Sequence, residues 1–324
     1  MPETPCSSTS YIRGHPVLNW NYNPSTVPYN IESWLHSLGI SAGGVVGQSG
    51  IVNNNTNSLS GISWQWRNTN WISNKMKMNG FLYGQVDSEG KFSGENISFI
   101  YPDFLTGLRG IFKDGVLHSA TAVSVVGERC NNGVKELKLE RAGEVMWVRG
   151  GAGYGDNPRV MDPHERKSVY VGKSTNPRAA QGLFARRKFS HGDLVSYYGG
   201  KRLFLRDIVH PNMTADEVAE ATMYTLVLGE NMQGLLVDVS QDYASITEYR
   251  TTLGHKANHK FKNHNTVYQK GIDHPVLGNI GCIIAITDIE AGDEIFTNYN
   301  YDLHTAAQWY RDEYTALYGK SLLT

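Results

Sequence analysis

Residues 253–268 read LGHKANHKFKNHNTVY, with His255 and His259 four apart and His264 and Tyr268 close behind. On a helix two histidines at that spacing share one face, the way metalloprotease helices present two zinc ligands with a glutamate base between them. The residues between are Lys256, Ala257 and Asn258. None of them is a base, and a lysine ammonium repels a divalent cation. Histidines held in a core or a turn are the other reading of the segment by itself.

The rest of the chain narrows the choice. Its 324 residues, 40% hydrophobic, suffice for about two domains with buried cores. Thirty Lys and Arg stand against 31 Asp and Glu, a net charge of −1, so no basic field argues for direct nucleic-acid binding. Cys6, Cys130 and Cys282 are too few and scattered for a disulfide framework or a cysteine zinc cluster, which implies a reducing compartment. The start MPETPCSSTSYIRGH lacks the pattern of a secretory signal, and no window approaches the ~20 apolar residues of a membrane span. The sequon-like triplets at Asn54, Asn96 and Asn212 are therefore read as chance.

Residues 1–75 are rich in Ser, Asn and Gly without periodicity, and loose structure is expected there. Within 76–160, LYGQVDSEG from Leu82 and LRGIFKDG from Leu108 share a pattern of apolar, any, Gly, any, apolar and a turn ending at Gly90 or Gly115. Such units predict a β-meander, and because about three are normally needed for stability, either the Asn-rich region holds a degenerate copy or the chain lacks some. A glycine-rich passage ends near residue 160. From 161 to 324, SVYVGKS, GLFARRKF, LVSYYGGKRL, TMYTLVLG, GLLVDV and CIIAITDI read as short strands. Only HTAAQWYRDEYTALYGK reads as a helix, with Thr305 as N-cap, Gln308 completing a capping box, and Gly319 as the stop. Read as strand from Ile295, GDEIFTNYNYD puts Thr297, Tyr299 and Tyr301 on one face. Trp309 and Glu313 share a helix face and offer a ring and a carboxylate suited to a purine, or simply seal the helix onto the sheet.

AAQGLFARRKF, GHKANHKF and GDEIFTNYNYD, in this order and followed by a helix with Trp309 and Tyr310, resemble the SET-domain protein lysine methyltransferases. The resemblance is greatest to the MORN-repeat, SET7/9-like branch and covers residues 80–318. It implies a mainly β chain: a MORN-like meander, then a SET fold with a pseudoknot and a C-terminal helix. It implies S-adenosylmethionine as methyl donor and no metal. The donor contacts carried over are Ala179, Gln181, Gly182, His255, Lys256, Asn258 and His259, with Trp309 and Glu313 at the adenine. The catalytic set is Tyr299, with Tyr301, Tyr198 and Tyr268 shaping the lysine channel. Tyrosines at both Tyr198 and Tyr268 imply mainly monomethylation, on a histone tail (the lysine at the fourth position of the third core histone) or other proteins, in the nucleus at chromatin and also in the cytoplasm. The competing reading is a catalytically weak adaptor that binds protein partners. Three departures stand out: Asn300 replaces a glycine, Lys260 a small residue, and the 260–268 loop is one residue longer and lacks a proline.

Overall fold

A computed structural model describes residues 11–12, 15–16, 63–68, 81–86, 93–101, 105–113, 116–131, 134–148, 159–228, 235–239, 245–274, 276–304 and 306–319. The chain forms two compact units: 1–150 with 162–167 and 273–276, and 151–161 with 168–272 and 277–324. Both are built mostly of strands.

In the first unit a strand pair, β1 (Tyr11–Ile12) and β2 (His15–Pro16), accompanies a six-stranded antiparallel meander. Its strands follow chain order: β3 (Ser63–Asn68), β4 (Phe81–Val86), β5 (Gly94–Ile100), β6 (Thr106–Lys113), β7 (Val116–Asn131) and β8 (Val134–Val148). β3 corrects the expectation of loose structure before residue 75: pairing of Ser63 through Asn68 with Val86 through Phe81 supplies order that the polar composition does not. The rest of the 1–75 expectation falls largely outside the described residues. The repeat glycine has a local cause at Gly110, where a Cβ would lie 1.8 Å from the Ser119 carbonyl oxygen. Ile97, Phe99, Ile100, Leu108, Phe112 and Leu117 bury their side chains here, each worth about 1.5–3 kcal/mol. A buried polar knot accompanies them. Asp162 accepts from the Tyr101 hydroxyl, from His274 Nε2 at 3.0 Å and from the His164 amide at 2.8 Å. The Val276 amide donates to His274 Nδ1, which leaves the ring proton on the nitrogen that faces Asp162.

The second unit carries a seven-stranded sheet. Its path is β11 (Leu194–Tyr198), β17 (Gly278–Ala285), β16 (Thr266–His274), β18 (Glu294–Thr297), β10 (Gln181–Ala185) and β9 (Val169–Lys173), and β15 (Asn258–His259) pairs with β18. A three-stranded sheet, β12 (Lys201–Phe204), β14 (Leu235–Asp238) and β13 (Thr225–Val227), stands beside it in the chain order of the unit. Val169, Leu183, Phe189, Val195, Ile283 and Ile295 form the core, with Tyr268 packed against it. β18 runs parallel to both β15 and β16 and pairs with each. Asn265 fastens β18: its amide donates to the Phe296 carbonyl at 3.2 Å, its Oδ1 accepts from the Phe296 amide at 2.8 Å, and its Nδ2 donates to the Glu294 carbonyl at 2.9 Å. The longer loop is accommodated by Asn263 at φ 56°, and Lys260 lays its ammonium 4.7 Å from the Phe296 ring centroid.

Three local expectations are corrected. Helices are not confined to the C-terminus: α1 (Pro163–Ser168) and α2 (Ala215–Ala221) precede α3 (Gln308–Tyr318). The Thr214 hydroxyl and the Glu217 carboxylate cap α2 reciprocally, a T-x-x-E signature present in the text. α3 has Ala307, not Thr305, as N-cap. Thr305 itself lies outside the described residues; the buried Ala306 donates its amide to the Asp302 carbonyl, so the chain turns once more before the helix starts. Gly319, at φ 86°, does end it. Finally, β18 stops at Thr297, because Asn298 Oδ1 accepts from the Asn300 amide at 3.0 Å and Asn300 turns left-handed at φ 51°.

Candidate active site

The segment that opened the analysis is neither a helix nor a plain core strand. Gly254–Lys256 makes a 3-10 turn and Asn258–His259 a short strand, so His255 and His259 do not share a helix face. They line one wall of a cleft of about 870 Å³. Asn176, Arg178, Ala179, Ala180 and Gln181 form a second wall, and Asp216, Ala219, Glu220, Met223 and Tyr224, from α2 and the turn after it, a third. Tyr299, Tyr301, Ala307, Trp309 and Glu313 close it. Ten of the thirteen residues singled out in the sequence thus meet here. Gly182, Tyr198 and Tyr268 lie behind the cleft wall.

His259 is held by its backbone neighbours. The Tyr299 amide donates to its Nδ1 at 3.2 Å, so the ring proton resides on Nε2. Burial brings its pKa down to about 4 and that of His255 to about 3, so both rings are neutral at pH 7. The His259 ring packs 4.3 Å from Phe261, 4.8 Å from Tyr310 and 5.9 Å from Trp309, centroid to centroid. Its Nε2 is buried without a hydrogen-bond partner among the described residues, although the ring lines the cleft. A buried donor of this kind costs about 1–3 kcal/mol unless something accepts from it. An adenine nitrogen can do so, and Trp309, which keeps 39% of its surface exposed, offers a face for stacking. The Glu313 carboxylate is oriented by Arg178 at 3.3 Å. The chemistry of the wall therefore suits an adenosine-bearing ligand.

Four phenols converge at the cleft, two of them, Tyr299 and Tyr301, lining it. Tyr299 stands 5.2 Å from Tyr301 and 6.4 Å from Tyr268, and Tyr268 5.7 Å from Tyr198. The Tyr299 hydroxyl donates to the Ala257 carbonyl at 3.0 Å. Burial, and then the neighbouring phenols, push all four hydroxyls well above their usual range, so they remain protonated donors. Lys256, whose pKa burial lowers, donates to Gln181 Oε1 at 3.3 Å.

Motif reading missed Glu294. Its carboxylate accepts from Ser174 Oγ at 2.6 Å, from the Thr175 amide at 2.7 Å, from the Thr175 hydroxyl, and from Asn258 Nδ2 at 3.2 Å. Burial opposes its charge, but these bonds together hold the carboxyl below its usual range. Gly182 makes room for it, since a Cβ there would lie 2.1 Å from Glu294 Oε1. The third wall was missed as well, although the T-x-x-E cap of α2 is a signal that could have found its helix; for Arg178 and Glu294 no local signal exists.

Comparison with known proteins agrees with this architecture. Residues 66–132 match the family described as Histone H3 K4-specific methyltransferase SET7 N-terminal, and residues 180–300 match the SET domain. The NH segment, β18 and Tyr299 lie within the stretch that matches the SET domain. The SET7-type segment lies ahead of that domain in the chain. The histone-lysine N-methyltransferase SETD7 of Halocynthia roretzi is 28% identical over 253 residues, which is 72% of this chain and 61% of that protein. The chain therefore spans less than two thirds of that relative's length. Among solved structures, ctPRC2 in an autoinhibited conformation bound to S-adenosylmethionine is 22% identical over 46% of this chain and 17% of its own, with a TM-score of 0.31. An active polycomb repressive complex 2 in the basal state is 27% identical, covering 42% of this chain and 15% of that one, also at 0.31.

Proposed function

We propose that the chain is an S-adenosylmethionine-dependent protein-lysine N-methyltransferase. The convergence of four protonated tyrosines at an adenosine-compatible cleft carries this reading. When bound, the donor supplies an electrophilic methyl on a sulfonium for in-line transfer to an uncharged amine. Ala179, Gln181, His255, Lys256, Asn258 and His259 would hold it along the cleft, and Trp309 and Glu313 its purine. The residues' own contribution is desolvation and aim. A lysine amine has an ordinary pKa of about 10.4. Rings of Tyr198, Tyr268, Tyr299 and Tyr301 around it remove the water that stabilises its charged form and so lower that value. Their hydroxyls, unable to ionise near neutral pH, orient the nitrogen. Tyr299, anchored on the Ala257 carbonyl, sits at the centre of the group.

The finer reading is monomethylation of a histone tail, at the fourth-position lysine of the third core histone, at chromatin. Two features support it: the relative named for histone-lysine methylation, and the pairing of Tyr198 with Tyr268, which leaves little space for a methylated amine to turn back. Intact-mass analysis of core histones incubated with the chain and S-adenosylmethionine tests both levels. One added methyl is expected with the parent, and Tyr299→Phe should lower the rate by about 100-fold. No methyl on any histone or extract protein rejects the activity and favours a partner-binding adaptor.

A further inference from the structure

Asn258 lines the cleft, yet its amide NH2 is committed to the protein. Nδ2 lies 2.8 Å from the Gln181 carbonyl, 3.0 Å from Ser174 Oγ and 3.2 Å from Glu294 Oε1. A backbone carbonyl can only accept, so the amide cannot face it the other way round. Glu294 reinforces the choice with a charged acceptor, and a charge-assisted bond is about twice as strong as a neutral one. The one polar atom that Asn258 then has left for a ligand is Oδ1, a pure acceptor. A ligand that meets it has to bring a donor.

Resting on the methyltransferase reading, we propose that Glu294 is a positioning residue: it fixes the Asn258 amide so that Oδ1 faces the cleft and selects the α-ammonium group of the methyl donor. Glu294 itself is not among the residues that line the cleft. It acts from β18 on β15 and on the 174–176 turn, three segments far apart in sequence. All four of its partners donate, and a carboxylate suits four donors. In Glu294→Gln the new NH2 confronts two of them. With the charged acceptor gone, the Asn258 amide keeps only the Gln181 carbonyl and Ser174 Oγ as acceptors, so its Oδ1 is held less firmly toward the ligand's ammonium.

The test uses calorimetric titration of the full chain with S-adenosylhomocysteine and with its analogue lacking the α-amino group, in the parent, Glu294→Gln and Glu294→Asp. In the parent the amino group should improve affinity by about tenfold, and in Glu294→Gln by less than about threefold, with the deaminated ligand bound unchanged within about twofold. Glu294→Asp keeps the charge on a shorter stem and should fall between. A ratio preserved in Glu294→Gln, or equal weakening of both ligands, overturns the proposal, since a merely structural role weakens both. Should Glu294→Gln not fold, Gly182→Ala displaces the same carboxylate and should narrow the same ratio; an unchanged ratio there overturns it too. A parent that binds neither ligand removes both this inference and the donor assignment. A parent that binds both but transfers no methyl to lysine removes the methyltransferase reading and leaves this inference to be decided by the ratio.

Discussion

Asn300 shows how one side chain can preserve a backbone that a glycine usually makes. The turn between Tyr299 and Tyr301 needs a left-handed residue, and Asn300 occupies it at φ 51°. Asparagine tolerates this region better than other residues with a Cβ, and Asn298 Oδ1 fastens the turn from the preceding position. Asn300→Gly should therefore change activity by less than about twofold, whereas Asn300→Val forces strain of about 1–3 kcal/mol. That strain is expected to appear as a fall in kcat, because the side chain is exposed and has little packing to lose. Steady-state kinetics of the two variants check this, and equal effects would refute the backbone explanation. At the same scale, Tyr268→Phe removes one hydroxyl from the pair with Tyr198. The dimethyl-lysine fraction, read by mass spectrometry, should rise several-fold, by about 1 kcal/mol in preference; an unchanged product ratio removes Tyr268 from that role.

Among the elements, β18 matters most, since it pairs with β10, with β16 and with β15, the strand that carries His259. Asn265 replaces a missing stretch of ladder with its own amide. Its side chain bonds Phe296 and Glu294 just where β15 ends and β16 has not begun. Asn265→Ala leaves a strand amide and a carbonyl without partners, each costing about 1–3 kcal/mol when buried. Denaturant unfolding should show a loss in that range, and donor affinity should fall with it, because Glu294 sits on the same strand. A variant as stable as the parent would show that water replaces the side chain. The C-terminal helix α3 is tied down differently. Tyr310 is buried against Phe261 and His259, and the exposed Trp309 remains available to a ligand.

For the whole molecule, Asp238 on β14 sets a pH dependence. Burial raises its pKa to about 6 from the ordinary 3.8, and Lys201 opposes this only in part. The folded chain thus keeps a proton that the unfolded chain releases between those values. Stability from this group is fully present below about pH 4 and lost as pH rises through about 6. Thermal unfolding of the parent and of Asp238→Asn from pH 4 to 8 should diverge across that window, with the variant losing less on the way up; parallel curves would place the titration elsewhere. Near neutral pH, His255 and His259 are neutral and the four tyrosines stay protonated, so these six groups keep one charge state there.

The sequence by itself determined the β class, the glycine-punctuated meander and ten of the residues that line the cleft, because these are written in short segments. A repeat needs only its own glycines, and the NH pair and the two tyrosines keep their character wherever the chain carries them. Local text failed where a side chain answers to a distant one. Alternation predicted a strand through Tyr301, but the Asx turn at Asn298 ended it at Thr297. A capping box at Thr305 lost to the burial of Ala306. Glu294 reads as one more acidic residue after a turn; only the fold brings Ser174, 120 residues away, within 2.6 Å of it. A hydrogen bond over such a separation depends on packing of the whole unit, which encloses the carboxylate and leaves it four donors to satisfy its charge.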